Sequence, residues 1–282
     1  MLRDIVVPMT GTPADGDALE TAIDLAARHN GHLTVLEIVN LPMPAISPWG
    51  FTADLSVGDV YTTLRARAHE NVERLRARLQ REAVPAEVCL VEAPLLGPSG
   101  AAARSARYAD LAVVAGAAGL GGDAKAEVAD TYFGSLLFES GRPVLVVPRG
   151  APHTGPLRHV VVAWRPTPEA ARALHDALPL LREAETVDVV IVDPIGGEMG
   201  EGDEPGAAIA RHLARHGIKV EVVVRQAEDR AISGVLLDHV ARTGADLLVV
   251  GGYGHSKLRE WVMGGVTREL LAAAPLPVLY AH

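Results

Sequence analysis

Two hydrophobic patterns alternate along the chain. Short aliphatic runs such as Ile5-Val6-Val7, Val160-Val161-Val162 and Leu247-Leu248-Val249-Val250 carry no polar alternation. Runs of that kind read as parallel strands buried on both faces. Between them apolar residues return every three or four positions, as in Val266, Leu270 and Leu271, the signature of a helix with one buried face. In the first half the pattern predicts strands at about 3–8, 32–38, 86–91, 110–115 and 143–147. Helices fall between them near 14–29, 58–83, 98–108 and 129–140. In the second half the strands are at about 158–163, 187–192, 218–224, 246–250 and 277–281. The helices there lie near 168–183, 203–216, 231–243 and 265–273. Strands alternating with helices imply an α/β fold with parallel sheets and right-handed crossovers. Ligands of such open sheets bind beyond the carboxyl ends of the strands, where strand order reverses.

The second half repeats the first. Asp110-Leu-Ala-Val-Val-Ala-Gly116 echoes Asp246-Leu-Leu-Val-Val-Gly251, and Arg142-Pro-Val-Leu-Val-Val147 echoes Leu276-Pro-Val-Leu-Tyr280. A repeat of this length means two duplicated domains, since solenoid repeats run only about 20–50 residues. The turn-forming stretch Pro148 to Pro156 separates them, giving domains at 1–150 and 156–282. The Pro-rich stretch at about 41–56 has no counterpart in the second half.

Composition narrows the function. Apolar residues make up 49% of the 282, enough for two cores, and aromatic residues only 4%. A net charge of −9 argues against a general nucleic-acid binder, which needs a basic face. The single Cys89 excludes an intrachain disulfide and suits a reducing compartment. Met1-Leu-Arg-Asp leads directly into a strand-like run, leaving no room for a signal peptide, and no run approaches the roughly 20 apolar residues of a membrane helix. A cytoplasmic protein with no membrane segment is expected.

The strongest chemical signal follows the strand ending at Val250. Gly251 and Gly254 let the backbone turn and approach a ligand closely, and the Gly264-Gly265 pair opens the next helix. A glycine loop followed by a helix start offers free N–H groups to an anion, phosphate above all. The spacing Gly-x2-Gly-x9-Gly resembles that of the universal stress protein family, whose nucleotide-binding members carry it after the fourth strand of each domain. Gly265 stands where the family has Ser or Thr.

That resemblance covers nearly the whole chain. It implies two tandem open-sheet domains of the adenine nucleotide alpha hydrolase-like kind, each with strand order 3-2-1-4-5. Their fifth strands would meet across a pseudo-two-fold axis, making an intrachain pseudo-dimer, and a further homodimer stays open. It implies an adenine nucleotide, ATP or AMP, in the second domain, with Mg2+ only if ATP is bound. The site would comprise Gly251, Gly254, Gly264, Gly265 and Val266, with Ala163 and Arg165 after the first strand and Ile191 and Val250 lining the base pocket. Relatives place an Asp after the first strand; here Arg165 and, in the first half, Thr10 occupy that place. The role implied is stress-linked sensing or regulation. A scaffold with vestigial loops is the alternative, and slow ATP hydrolysis a third reading.

The first half keeps Gly116 and Gly119 but lacks the third glycine in register. Counting back from the fifth strand places Asp130-Thr131 at the helix start, where a carboxylate repels phosphate; reading to Gly134-Ser135 lengthens the loop. Either way that half is degenerate for nucleotide.

Other features carry less. His212 and His216 have the i, i+4 spacing of a metal pair, without a carboxylate or cysteine to complete it. His255 and Lys257 lie in the glycine loop, where they either assist phosphate or face solvent, and Trp261 and Met263 pack it down. The acidic stretch 196–204 matches no calcium loop. No P-loop, nucleophile elbow or zinc helix is present, so the residues support binding, not turnover.

Overall fold

A computed structural model describes residues 1–41, 55–93, 97–120, 123–194, 204–252 and 265–282, and the statements below concern these. The first half runs β1 (Asp4–Pro8), α1 (Asp15–His29), β2 (His32–Val39), α2 (Leu55–Leu79), β3 (Ala86–Glu92), α3 (Gly97–Ala106), β4 (Leu111–Ala115), α4 (Asp123–Glu139) and β5 (Val144–Val147). The second runs β6 (His159–Ala163), α5 (Pro168–Leu181), β7 (Thr186–Val192), α6 (Ala207–Arg215), β8 (Val220–Arg225), α7 (Ile232–Thr243), β9 (Leu247–Gly251), α8 (Gly265–Ala273) and β10 (Val278–Ala281).

All ten strands form one sheet, in the order β3-β2-β1-β4-β5-β10-β9-β6-β7-β8. Each half is parallel, with the expected order 3-2-1-4-5. The halves join where β5 and β10 pair antiparallel, Leu145 opposite Leu279. Pairing consumes an apolar edge on both sides, which otherwise invites association with other chains. Val144 to Val147 and Val278 to Ala281 are all buried. The two-fold operation that exchanges Leu145 with Leu279 maps one half onto the other.

A repeated carboxylate shows the correspondence. Asp110 Oδ2 accepts the Arg3 and Asp4 N–H groups at 2.6 and 3.2 Å, and Asp246 Oδ2 accepts those of Arg158 and His159 at 2.6 and 3.0 Å. Each Asp thus ties the start of a first strand to its fourth. The segment joining the halves is tied to α1, where Asp17 and Asp24 accept the Gly150 and Gly155 N–H groups at 2.8 and 2.9 Å.

Helices α1, α2, α5 and α6 pack on one face of the sheet, and α3, α4, α7 and α8 on the other. Alternation of the strand side chains divides the core accordingly. Val160, Val162 and Val249 enter the first layer; Val161, Leu248 and Val250 enter the second.

The predicted ends of α2 and the predicted start of α6 are off by three or four residues, and the start of α4 by more. Helix α4 begins at Asp123, not near 129, because Ala124-Lys-Ala-Glu-Val128 consists mostly of good helix formers that extend it by nearly two turns.

Candidate functional site

In the second half the carboxyl ends of β7, β6, β9 and β10 lie side by side. Ala163, half-buried at the end of β6, is opposite both Val190 and Val250. Ala163 and Val250 therefore belong to one face, packed with the α7–α8 layer. Ile191 points to the other face, into the α5–α6 layer. Arg165 is exposed in the turn before α5. Thr167 caps that helix, its side chain accepting the Ala170 N–H at 3.3 Å.

Gly251 is explained by packing. A Cβ there would lie 2.6 Å from the Ala170 nitrogen and 2.7 Å from the Glu169 carbonyl carbon, so only glycine lets α5 approach the end of β9. Gly265 is different. It is exposed at the first position of α8, and a Cβ there would meet nothing closer than Glu269 Oε1 at 4.0 Å. The leading N–H groups of α8 have no partner within their own helix, a property of every helix start. Val266 is half-buried beside them, and Thr267 is buried. Gly254, Gly264, His255, Lys257, Trp261 and Met263 lie outside the described residues, as does most of the acidic stretch.

The first half departs from this plan at every corresponding point. Gly116 donates its N–H to Val147 O at 2.8 Å, as Gly252 does to Ala281 O at 2.8 Å. Gly116 thus corresponds to Gly252, and Ala115 to Gly251, so the glycine spacing read around Gly116 is one residue out of register. By the same two-fold relation Asp130, Thr131 and Tyr132 correspond to Gly264, Gly265 and Val266. They lie two turns inside α4, with Thr131 Oγ1 donating to Glu127 O at 2.7 Å. Neither register considered for the third glycine starts a helix.

Strand pairing also places Glu37 where Ile191 stands, and the loop hydrogen bonds of Met9 and Trp164 place Thr10 opposite Arg165 and Asp15 opposite Ala170. The carboxylate missing at Thr10 is supplied from α1. Asp15 accepts the Thr10 hydroxyl at 2.6 Å and the Gly11 N–H at 2.8 Å. Burial pushes both acids above their ordinary range, Asp15 against four opposing hydrogen bonds and Glu37 against one from Asn71. Sequence reading missed this group, although Glu37 interrupts an apolar strand.

The two-histidine pair gains a third ring. His212 lies 4.7 Å from His216 and 5.2 Å from His175, between ring centres, while His216 Nδ1 faces Arg182 at 3.0 Å. No cluster able to hold a metal is found among the described residues. No helix among them is long and apolar enough to cross a membrane.

Residues 1–132 and 156–282 each match the sequence profile described as the Universal stress protein family. A universal stress protein from Archaeoglobus fulgidus superposes on 99% of this chain and 95% of its own, with a TM-score of 0.71 at 16% identity. A functionally unknown protein from Pseudomonas aeruginosa PAO1 covers 99% and 92%, with a TM-score of 0.58 at 14% identity. At these identities the likeness establishes fold alone. A universal stress protein in complex with cAMP covers 55% of this chain at a TM-score of 0.32, which carries no argument about its ligand. No curated protein matches the chain.

Proposed function

Because the chain belongs to the universal stress protein family, we propose that it is a stress-linked sensor or regulator whose second half binds an adenine nucleotide. The observation that carries the proposal is the start of α8 at Gly265, clear of the side chains of the other described residues, at the interval the Gly-x2-Gly-x9-Gly spacing requires. In this reading the triphosphate of ATP, or the monophosphate of AMP, lies over Gly251, Gly254 and the N–H groups of Gly265 and Val266. Mg2+ accompanies ATP only. Ala163 and Val250 lie at the carboxyl ends of β6 and β9 where the base would rest, with Ile191 near the end of β7 on the opposite face, and the Arg165 guanidinium is exposed to meet an anionic group. The nucleotide acts as signal or structural ligand rather than as a substrate, in a cytoplasmic setting.

Calorimetric titration with ATP and AMP tests this, beside acid extraction of the freshly purified protein to release any nucleotide it carries. Gly254→Val is expected to abolish binding, since its branched side chain would fill the phosphate volume. Equal ATP affinity in that variant would overturn the assignment. Absence of any nucleotide binding would favour a scaffold.

A further inference from the structure

A cavity of about 770 Å³ opens in the first half, where the ends of β1 and β2 meet α1 and α2 on one face and α3 and α4 on the other. Asp15, Glu37 and Tyr132 line it, drawn from three elements far apart in sequence. Tyr132 is only 6% exposed; its hydroxyl makes no hydrogen bond to the described residues and is not among their fully buried polar atoms, which leaves it accessible from the cavity. All three groups border the same cavity. Glu37 Oε1 accepts the Asn71 amide at 2.7 Å, while its Oε2 is without a hydrogen bond among the described residues.

Nothing in the sheet requires these acids. The second half has buried Ile191 and Ala170 at the corresponding positions, so the same architecture accepts aliphatic groups there. Asp15 is already held by the Thr10 hydroxyl and the Gly11 N–H, so Glu37 Oε2 and the Tyr132 hydroxyl are the acceptors this cavity leaves to water or a ligand. The requirement is for hydrogen-bond donors carrying positive charge.

We infer that this cavity is a binding site for a small cationic molecule, an amine, amidine or guanidine, whose N–H groups bond to Asp15, Glu37 and Tyr132. A phosphate fits poorly. The start of α4 reaches the cavity through Ala124, but an anion there would face Asp15, Glu37 and Glu127 together. Of the two guanidiniums in the lining, Arg74 bonds Asn71 Oδ1 and offsets part of the Glu37 charge, and Arg78 lies further along α2. The site is thus separate in place and in charge from the nucleotide site proposed for the second half.

Calorimetric titration of the full-length protein with agmatine, spermidine and histamine, and separately with ATP, tests the inference. At least one amine should bind saturably. Glu37→Gln and Tyr132→Phe should each weaken that amine about tenfold or more, the scale of a lost hydrogen bond to a charged group, and leave ATP affinity unchanged. Both substitutions preserve shape, and Tyr132→Phe removes only one oxygen, so unaltered circular dichroism is expected. Failure of all three amines to bind at millimolar concentration overturns the inference. So does amine binding indifferent to both substitutions, or competition between the amine and ATP for one site. Loss of ATP binding alone would count against the second-half assignment and leave this one standing.

Discussion

At the scale of single residues, the two glycines that bracket the loop do different work. Gly251→Ala forces a methyl group against the backbone of Glu169 and Ala170, so α5 must shift. Overpacking of this kind costs about 1–3 kcal/mol, visible as a lower urea midpoint. Gly265→Ser, in open space, should change stability by less than about 0.5 kcal/mol. Any rise in ATP affinity in that variant then reports the restored hydroxyl rather than a firmer fold. Glu37 gives a prediction of opposite sign. Burial raises its pKa, so the folded chain holds that proton more tightly than the unfolded one. The contribution is stabilising below the ordinary carboxylate range and is lost as pH rises through the raised value. Glu37→Gln should therefore melt higher than the parent at about pH 7, with the gap closing towards about pH 4. A constant gap across that range would mean that the carboxylate is not desolvated. The two glycines stood out in the chain, but the acidic group did not, because Asp15, Glu37 and Tyr132 are brought together only by the crossovers. A carboxylate was sought next to β1, and it arrives five residues later from the start of α1.

At the scale of elements, α4 and α8 show how one plan diverges. Each precedes a fifth strand, yet α4 starts just over two turns earlier relative to that strand. The N–H groups of Asp130 to Tyr132 are bonded within their helix, whereas those at the start of α8 are not. Amide hydrogen exchange should find 130–132 protected with or without ligand, and 265–267 fast in the free protein and slowed by ATP. Slowing at 130–132 as well would place nucleotide in the first half. The strands were readable almost to the residue, since an aliphatic run between turn formers admits few alternatives. The start of α4 was not, because counting back from the fifth strand applies the interval of a glycine start that this half lacks. The residues that set it are Ala, Lys and Glu, whose propensity acts without any punctuating signal.

At the scale of the molecule, the continuous sheet makes the halves one structural unit. Phe133 of α4 meets Tyr280 of β10 edge to face, with ring centres 5.0 Å apart at 68°, and Tyr280 is fully buried. Heat should unfold the chain in a single calorimetric transition, and two resolved transitions would show that the β5–β10 seam is weak. A double-mutant cycle of Phe133→Leu and Tyr280→Leu should return about 0.5–1.5 kcal/mol of coupling, the scale of an aromatic pair.

The antiparallel seam has another effect. Two identical subunits joined by such a seam carry every substitution twice, and a change that suits one copy is imposed on its mate. A covalent pair is released from that constraint. Glutamate can replace isoleucine in one wall and not in the other, and a helix can lengthen over one loop while its twin keeps a glycine start. Linkage also holds the partners at a fixed effective concentration, so neither must remain competent to recognise itself. The seam here is one shared interface, and the two ends of the sheet beyond it differ from each other.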